Sequence, residues 1–227
     1  MDFSFTREQE LLRRSVSAFL EEKAPSKVVR QLMEDPLGYS EAVWGELASL
    51  GWLGLPFPEQ YGGSGLGMVE LALVLEEMGH SAFPSPYFPT VVLAGSVLNL
   101  AESPLQKEKL LTGIASGQVK ATLAFLDGSL NWGPRGISMR AERRGSGFVL
   151  RGVKRFVPWA HVADVILVAA RTSDGAGPEG ISLFLVDRTT PGVSVAPVKG
   201  IDLTTRWADV FFAEMTVPAD ALVGPEG

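Results

Sequence analysis

The chain predicts an α+β fold in which an N-terminal all-α helical bundle is followed by an antiparallel β-barrel or sandwich domain. Three observations lead there. Through about residue 117, apolar residues recur three or four apart, the period of a helix with one buried face. After Gln118 the apolar segments become short, rich in Val, Ile, Phe and Thr, and separated by turn residues such as Gly145-Ser146-Gly147 and Pro191-Gly192. Helices first and strands afterwards imply segregated layers rather than alternating βα units. The expected division is a helical domain over residues 1–117 and a β-domain over residues 118–227.

Each element has its own signal. Thr6 and Gln9 form a capping-box pattern, in which hydroxyl and amide satisfy each other's free backbone donors. Leu12, Val16, Phe19 and Leu20 follow on one helical face. A second helix is expected over residues 28–33, and a third begins after Ser40 and stops at Gly51, a residue suited to ending a helix. Residues 69–78, VELALVLEEM, are apolar nearly all round, as in a helix buried inside a bundle. Pro84, Pro86 and Pro89 break the chain before a helix over residues 91–100. Ser103, Pro104 and Gln106 repeat the capping-box pattern, with proline at the first helical position of a helix ending near Gly117. Strands are expected over residues 119–125, 137–142, 148–151, 165–170, 181–186, 193–197 and 210–215.

Composition narrows the function classes. The 227 residues are 46% hydrophobic and 20% charged, with a net charge of −6. That balance suits a soluble globular protein and argues against a nucleic-acid binder, which needs clustered Lys and Arg to meet phosphates. With no cysteine, disulfides, thiolate metal sites and cysteine nucleophiles are excluded. His80 and His161 are far apart and lack metal-ligand spacing, so no metal site is expected. The first residues show no basic start followed by an apolar run, and no apolar stretch approaches the roughly 20 residues of a membrane span. A cytoplasmic protein without a membrane partner is expected.

The most specific stretch is residues 50–67, LGWLGLPFPEQYGGSGLG. So many glycines between two helical segments mark a tightly shaped loop that needs positive φ or close backbone approach. The string resembles, without gaps, the Gly-Trp-x-Gly-x-x-x-Pro-Glu-x-Tyr-Gly-Gly-x-Gly-Leu signature of acyl-CoA dehydrogenases. The likeness continues through Gly152-x-Lys154, Ala163-Asp164 before a strand, Thr190-Pro191-Gly192-Val193 and Val217-Pro218. It implies the helical and middle β-domains of that family, with FAD as cofactor and an acyl-CoA as substrate. It further implies an electron-transfer flavoprotein or similar acceptor as partner, and a homo- or hetero-oligomer. The family's third, four-helix domain, which supplies its catalytic glutamate, is expected to be missing from this chain, so no catalytic residue is assigned here.

The resemblance also locates a flavin site. One family loop, Thr-Glu-Pro-x-x-Gly-Ser-Asp, maps to residues 123–133, with Leu126 at the threonine, Asp127 at the glutamate and Gly128 at the proline. Its Gly-Ser-Asp end falls on Asn131-Trp132-Gly133, placing Trp132 where the acyl-CoA-contacting serine stands. The family's Trp-Ile-Thr or Trp-Ile-Ser triplet is Phe156-Val157-Pro158, with Lys154 in register. The implied flavin-binding residues are thus Leu123, Phe125, Leu126, Phe156, Val157 and Pro158, and the implied substrate contact is Trp132. Both hydroxyls expected against the ring are replaced, and proline lacks even a backbone donor, so FAD binding is expected to be weak or lost.

Plainer readings stand beside these. Taken without the family register, Phe125, Phe156 and Val157 are core residues of strand-like runs. Glu59 orients its own loop rather than catalysing, and Arg13-Arg14 and Arg143-Arg144 are solvated charge pairs. The leading functional expectation is an acyl-CoA dehydrogenase-like flavoprotein, incomplete in this chain. Its rivals are a non-catalytic partner subunit or remnant with a degraded flavin site and, more weakly, a flavin monooxygenase on the same fold.

Overall fold

The computed structural model describes residues 4–227. Helix α1 (Arg7–Lys23) opens on the expected capping box: the Gln9 backbone N–H donates to Thr6 Oγ1 at 3.2 Å, and Thr6 N–H donates to Gln9 Oε1 at 2.9 Å. Its face buries Val16 and Leu20 completely. Helix α2 (Ser26–Glu34) follows, then α3 (Glu41–Ser49), whose Val43 N–H donates to Ser40 Oγ at 3.3 Å. The glycine-rich stretch forms two single 3-10 turns, Trp52–Gly54 and Glu59–Tyr61. Gly51 and Gly62 hold φ of 74° and 78°. A Cβ on Gly63 would lie 2.0 Å from the Phe57 carbonyl oxygen, so the turns close on each other only through glycine there.

Helix α4 (Met68–His80) buries Leu71, Leu73, Val74 and Met78. The next helix departs from expectation. It begins as a π-helical stretch, Phe88–Ala94, and becomes α-helical only over α5 (Gly95–Leu100). Thr90 in the π-helical part bonds the strand beside it, donating to Ala121 O at 3.0 Å and accepting from Ala121 N–H at 3.2 Å. Helix α6 (Pro104–Ala115) has proline at its start, yet its capping box does not form. The Gln106 amide instead donates to Asp220 O at 2.8 Å and Leu222 O at 3.0 Å. Two carbonyls from the far end of the chain thus fix the Gln106 amide, and its Oε1, the acceptor a capping box would use, is left buried without a partner.

Among the described residues eight strands form one sheet: β1 (Ala121–Ala124), β2 (Arg140–Arg144), β3 (Gly147–Pro158), β4 (Val165–Arg171), β5 (Ile181–Asp187), β6 (Val193–Val198), β7 (Trp207–Pro218) and β8 (Leu222–Val223). The order is β6-β7-β3-β2-β4-β5-β8, with β1 alongside β4. Pairing is mostly antiparallel; the exceptions are β1 with β4 and a single bridge between Arg140 and Arg171. Strand β3 runs well past its predicted length, because Arg151, Lys154 and Arg155 interrupt the apolar pattern without ending the ladder, and β7 extends with it by pairing along that length.

Two apolar cores result. One joins the helices and reaches onto the sheet at Ala121, Trp159 and Leu167. The other lies within the β-layer around Phe148, Leu150, Phe184, Val210 and Phe212. No helix among the described residues is long and apolar enough to cross a membrane.

Candidate functional site

A cavity of about 530 Å³ lies where the helices meet the sheet. Six of the seven residues assigned from sequence line it: Leu123, Phe125, Leu126, Trp132, Phe156 and Pro158. Phe83, Phe88, Pro89 and Leu93 face them from the helical side. The seventh, Val157, does not reach the cavity. It is 1% exposed and packs in the β-layer core, as the plainer reading of its strand expected.

A β-bulge explains that division. Lys154 pairs with Val210 and Val157 with Ala208, so β3 carries an extra residue against Asp209. Phe156 takes φ of 49°, a conformation costing on the order of 1–3 kcal/mol outside glycine. Asp209 holds the bulge in place. Its Oδ1 accepts the Phe156 N–H at 3.3 Å, and its Oδ2 lies 2.7 Å from Arg155 Nη1. Arg155 and Phe156 both line the cavity as a result, while Lys154 and Val157 on either side point into the protein.

The facing loop is pinned at two places. Lys154, with no exposed surface, donates from Nζ to Phe125 O at 3.0 Å and pairs with the buried Asp127 carboxylate. Burial pushes the Lys154 pKa down from the ordinary lysine value, and Asp127 opposes that shift. The other Asp127 oxygen accepts from Met139 N–H at 2.7 Å and from Ser138 N–H and Oγ. Arg171, also buried, donates to the carbonyls of Pro134 and Ile137 at 2.8 and 2.7 Å and of Gly177 and Glu179 beyond them. Between these clamps the Trp132 ring stacks on Phe125, with centroids 6.1 Å apart and planes inclined by 15°. Trp132 remains 73% exposed, at the mouth of the cavity.

The volume falls within the roughly 300–1,000 Å³ of small-molecule sites, and the aromatic wall suits a flat ring system such as a flavin. Polar side chains on the wall are few: Ser85, Arg155, Thr204 and Thr205. Among the described residues no carboxylate lines it. Sequence reading missed Arg155, because a strand without a bulge would alternate faces and leave either Arg155 or Phe156 outside.

Residues 6–118 match the acyl-CoA dehydrogenase N-terminal domain, and residues 133–215 match the acyl-CoA dehydrogenase middle domain. Acyl-CoA dehydrogenase FadE12 of Mycobacterium tuberculosis is 34% identical over 194 residues, covering 83% of this chain and 49% of its own length. The chain thus spans about half the length of that relative. Among solved structures, the ChsE4-ChsE5 complex from Mycobacterium tuberculosis superposes with a TM-score of 0.87 at 28% identity, covering 99% of this chain and 58% of that one. The FAD complex of PigA does so with a TM-score of 0.85 at 26% identity, covering 100% and 60%.

Proposed function

Because this chain belongs to the acyl-CoA dehydrogenase family, we propose that its cavity seats the isoalloxazine ring of FAD beside an acyl-CoA thioester, for α,β-desaturation of the acyl chain. What supports this reading is the convergence of Leu123, Phe125, Leu126, Trp132, Phe156 and Pro158, from three separate stretches of sequence, on one aromatic-walled cavity. Bound there, FAD supplies the acceptor for the β-hydride. Phe125 and Phe156 pack against the ring and exclude water. Trp132, at the mouth, meets the thioester end of the substrate. Leu126 offers only its backbone N–H and Pro158 none, so two side-chain hydrogen bonds are missing. At roughly 0.5–1.5 kcal/mol each, their loss weakens FAD binding by about one to two orders of magnitude.

The α-proton has no acceptor on this wall, since no carboxylate lines it among the described residues. A positioned general base contributes about 10²–10⁴-fold, so turnover needs a base from outside the cavity described. The same observation favours a second reading, in which the chain is a non-catalytic partner that acts with a homologous subunit. The structural likeness to one member of a two-protein complex, ChsE4-ChsE5, is in keeping with it. Under either reading the chain works in the cytoplasm as part of an oligomer. Under the catalytic reading the partner would be an electron-transfer flavoprotein or similar acceptor.

Titrating the apoprotein with FAD and assaying artificial dye reduction with a panel of acyl-CoAs tests both. The expected result is saturable flavin binding with a yellow spectrum and negligible dye reduction by this chain alone. Absence of any flavin binding sinks the cofactor reading. Robust turnover by the isolated chain sinks the partner-subunit reading and the argument from the missing carboxylate.

A further inference from the structure

Arg155 is the one charged side chain on the cavity wall among the described residues. Its position is built rather than incidental. The bulge turns it toward the cavity, its backbone N–H donates to Leu126 O at 2.8 Å, and its guanidinium lies 6.0 Å from the Phe156 ring centroid. The cation therefore stands near the Phe156 ring, on the cavity wall that Leu126 and Pro158 also line without a side-chain hydroxyl. A guanidinium has five N–H donors, and its partner here is Asp209 at 2.7 Å from Nη1. Asp209 is itself buried and tied to the Phe156 N–H, so it tethers the arginine without using up its fork.

We propose that Arg155 supplies a charged hydrogen-bond donor to the polar edge of the flavin ring, in place of the hydroxyls that Leu126 and Pro158 lack. This rests on the cavity being a flavin site. Charge-assisted bonds are roughly twice as strong as neutral ones, so one arginine offsets much of what two hydroxyls would contribute. The cation has a second effect that a hydroxyl lacks. A flavin gains negative charge on reduction, and an adjacent positive charge favours the more negative form. Arg155 therefore raises the reduction potential of the bound flavin as well as its affinity.

The test is to load the purified protein with FAD and measure two quantities: the dissociation constant by titration, and the two-electron potential against reference dyes. Arg155→Met made in an Asp209→Asn background, which removes the charge without stranding the Asp209 carboxylate and keeps an acceptor for the Phe156 N–H, is expected to weaken FAD binding about tenfold and to lower the potential relative to Asp209→Asn alone. Arg155→Lys keeps the charge beside Asp209 but loses the fork, so it should hold the potential near wild type while binding FAD more weakly. The side chain is 42% exposed, and both variants are expected to fold. Should the methionine variant not fold, the lysine variant decides alone. Affinity and potential both unchanged in the folded variants overturn the proposal and leave the flavin reading standing. A wild-type protein that binds no FAD overturns the flavin reading, and this proposal with it.

Discussion

Lys154 and Asp127 form an ion pair with 0% and 4% of their side chains exposed, at the centre of the wall that positions Phe125. Removing both charges from water is costly, and the pair is tolerable because each partner is also hydrogen-bonded to the backbone around it. The lysine reaches Phe125 O, and the carboxylate takes the amides of Ser138 and Met139. Breaking such a pair from one side is therefore far worse than removing it whole. Lys154→Met should cost about 3–5 kcal/mol in urea unfolding, because it strands a buried carboxylate. Adding Asp127→Asn to that variant should recover a large part. A single variant within about 1 kcal/mol of wild type contradicts this account of the loop. Asp127 itself was legible from its register with the family's glutamate, but its partner was not: residues 127 and 154 are joined by folding, with no local pattern linking them.

At the scale of elements, what could be read from sequence was what local chemistry decides. The capping box of α1 and the αL glycine after α3 stand as expected because each depends on neighbours within a turn or two; α4 forms over its predicted stretch but is not enclosed all round, since Val69 is 50% exposed. The lost cap of α6, the π-helical entry to α5 and the bulges of β3 and β7 depend on partners far along the chain, and these were not legible. Val157 shows the cost of that blindness: a one-residue bulge decides which side chains of residues 154–158 face the cavity. Arg13 shows it too. Expected to be solvated, it donates to Glu77 at 2.9 Å and latches α1 to α4. That hydrogen bond holds the Glu77 carboxyl below the usual glutamate pKa. A lowered carboxylate pKa stabilises the fold above the unfolded value of about 4.3, and the gain disappears as pH falls through the lower folded value. With Arg13 42% exposed, the contribution is about 1 kcal/mol or less. Arg13→Met should therefore lose up to that amount at neutral pH and converge with wild type as pH falls through the lowered folded-state value of Glu77. A stability gap that persists or widens in acid contradicts the latch.

For the whole molecule, we propose residue 118 as the boundary between the helical and β-domains in topology, though not in thermodynamics. The helical core takes Ala121, Trp159 and Leu167 from the sheet, with Leu185 packed against it. Arg206, beside β7, donates to the carbonyls of Leu32, Met33 and Asp35 at 2.8–3.0 Å, closing the end of α2. Heat or urea should accordingly unfold the chain in one transition seen alike by far-ultraviolet dichroism and tryptophan fluorescence. Two resolved transitions would mean that the domains are independent. Phe83, Phe88 and Leu93 on one side of the boundary and Phe156 on the other wall the same cavity, so a merely tethered pair of domains would leave it poorly shaped. The shared core also bears on how the polypeptide is made. A ribosome releases residues in order, and the helices come out well before Leu167 and Leu185. Until those leucines emerge, the nascent helical half exposes the face that they will cover, and for that interval it is a natural client for chaperones.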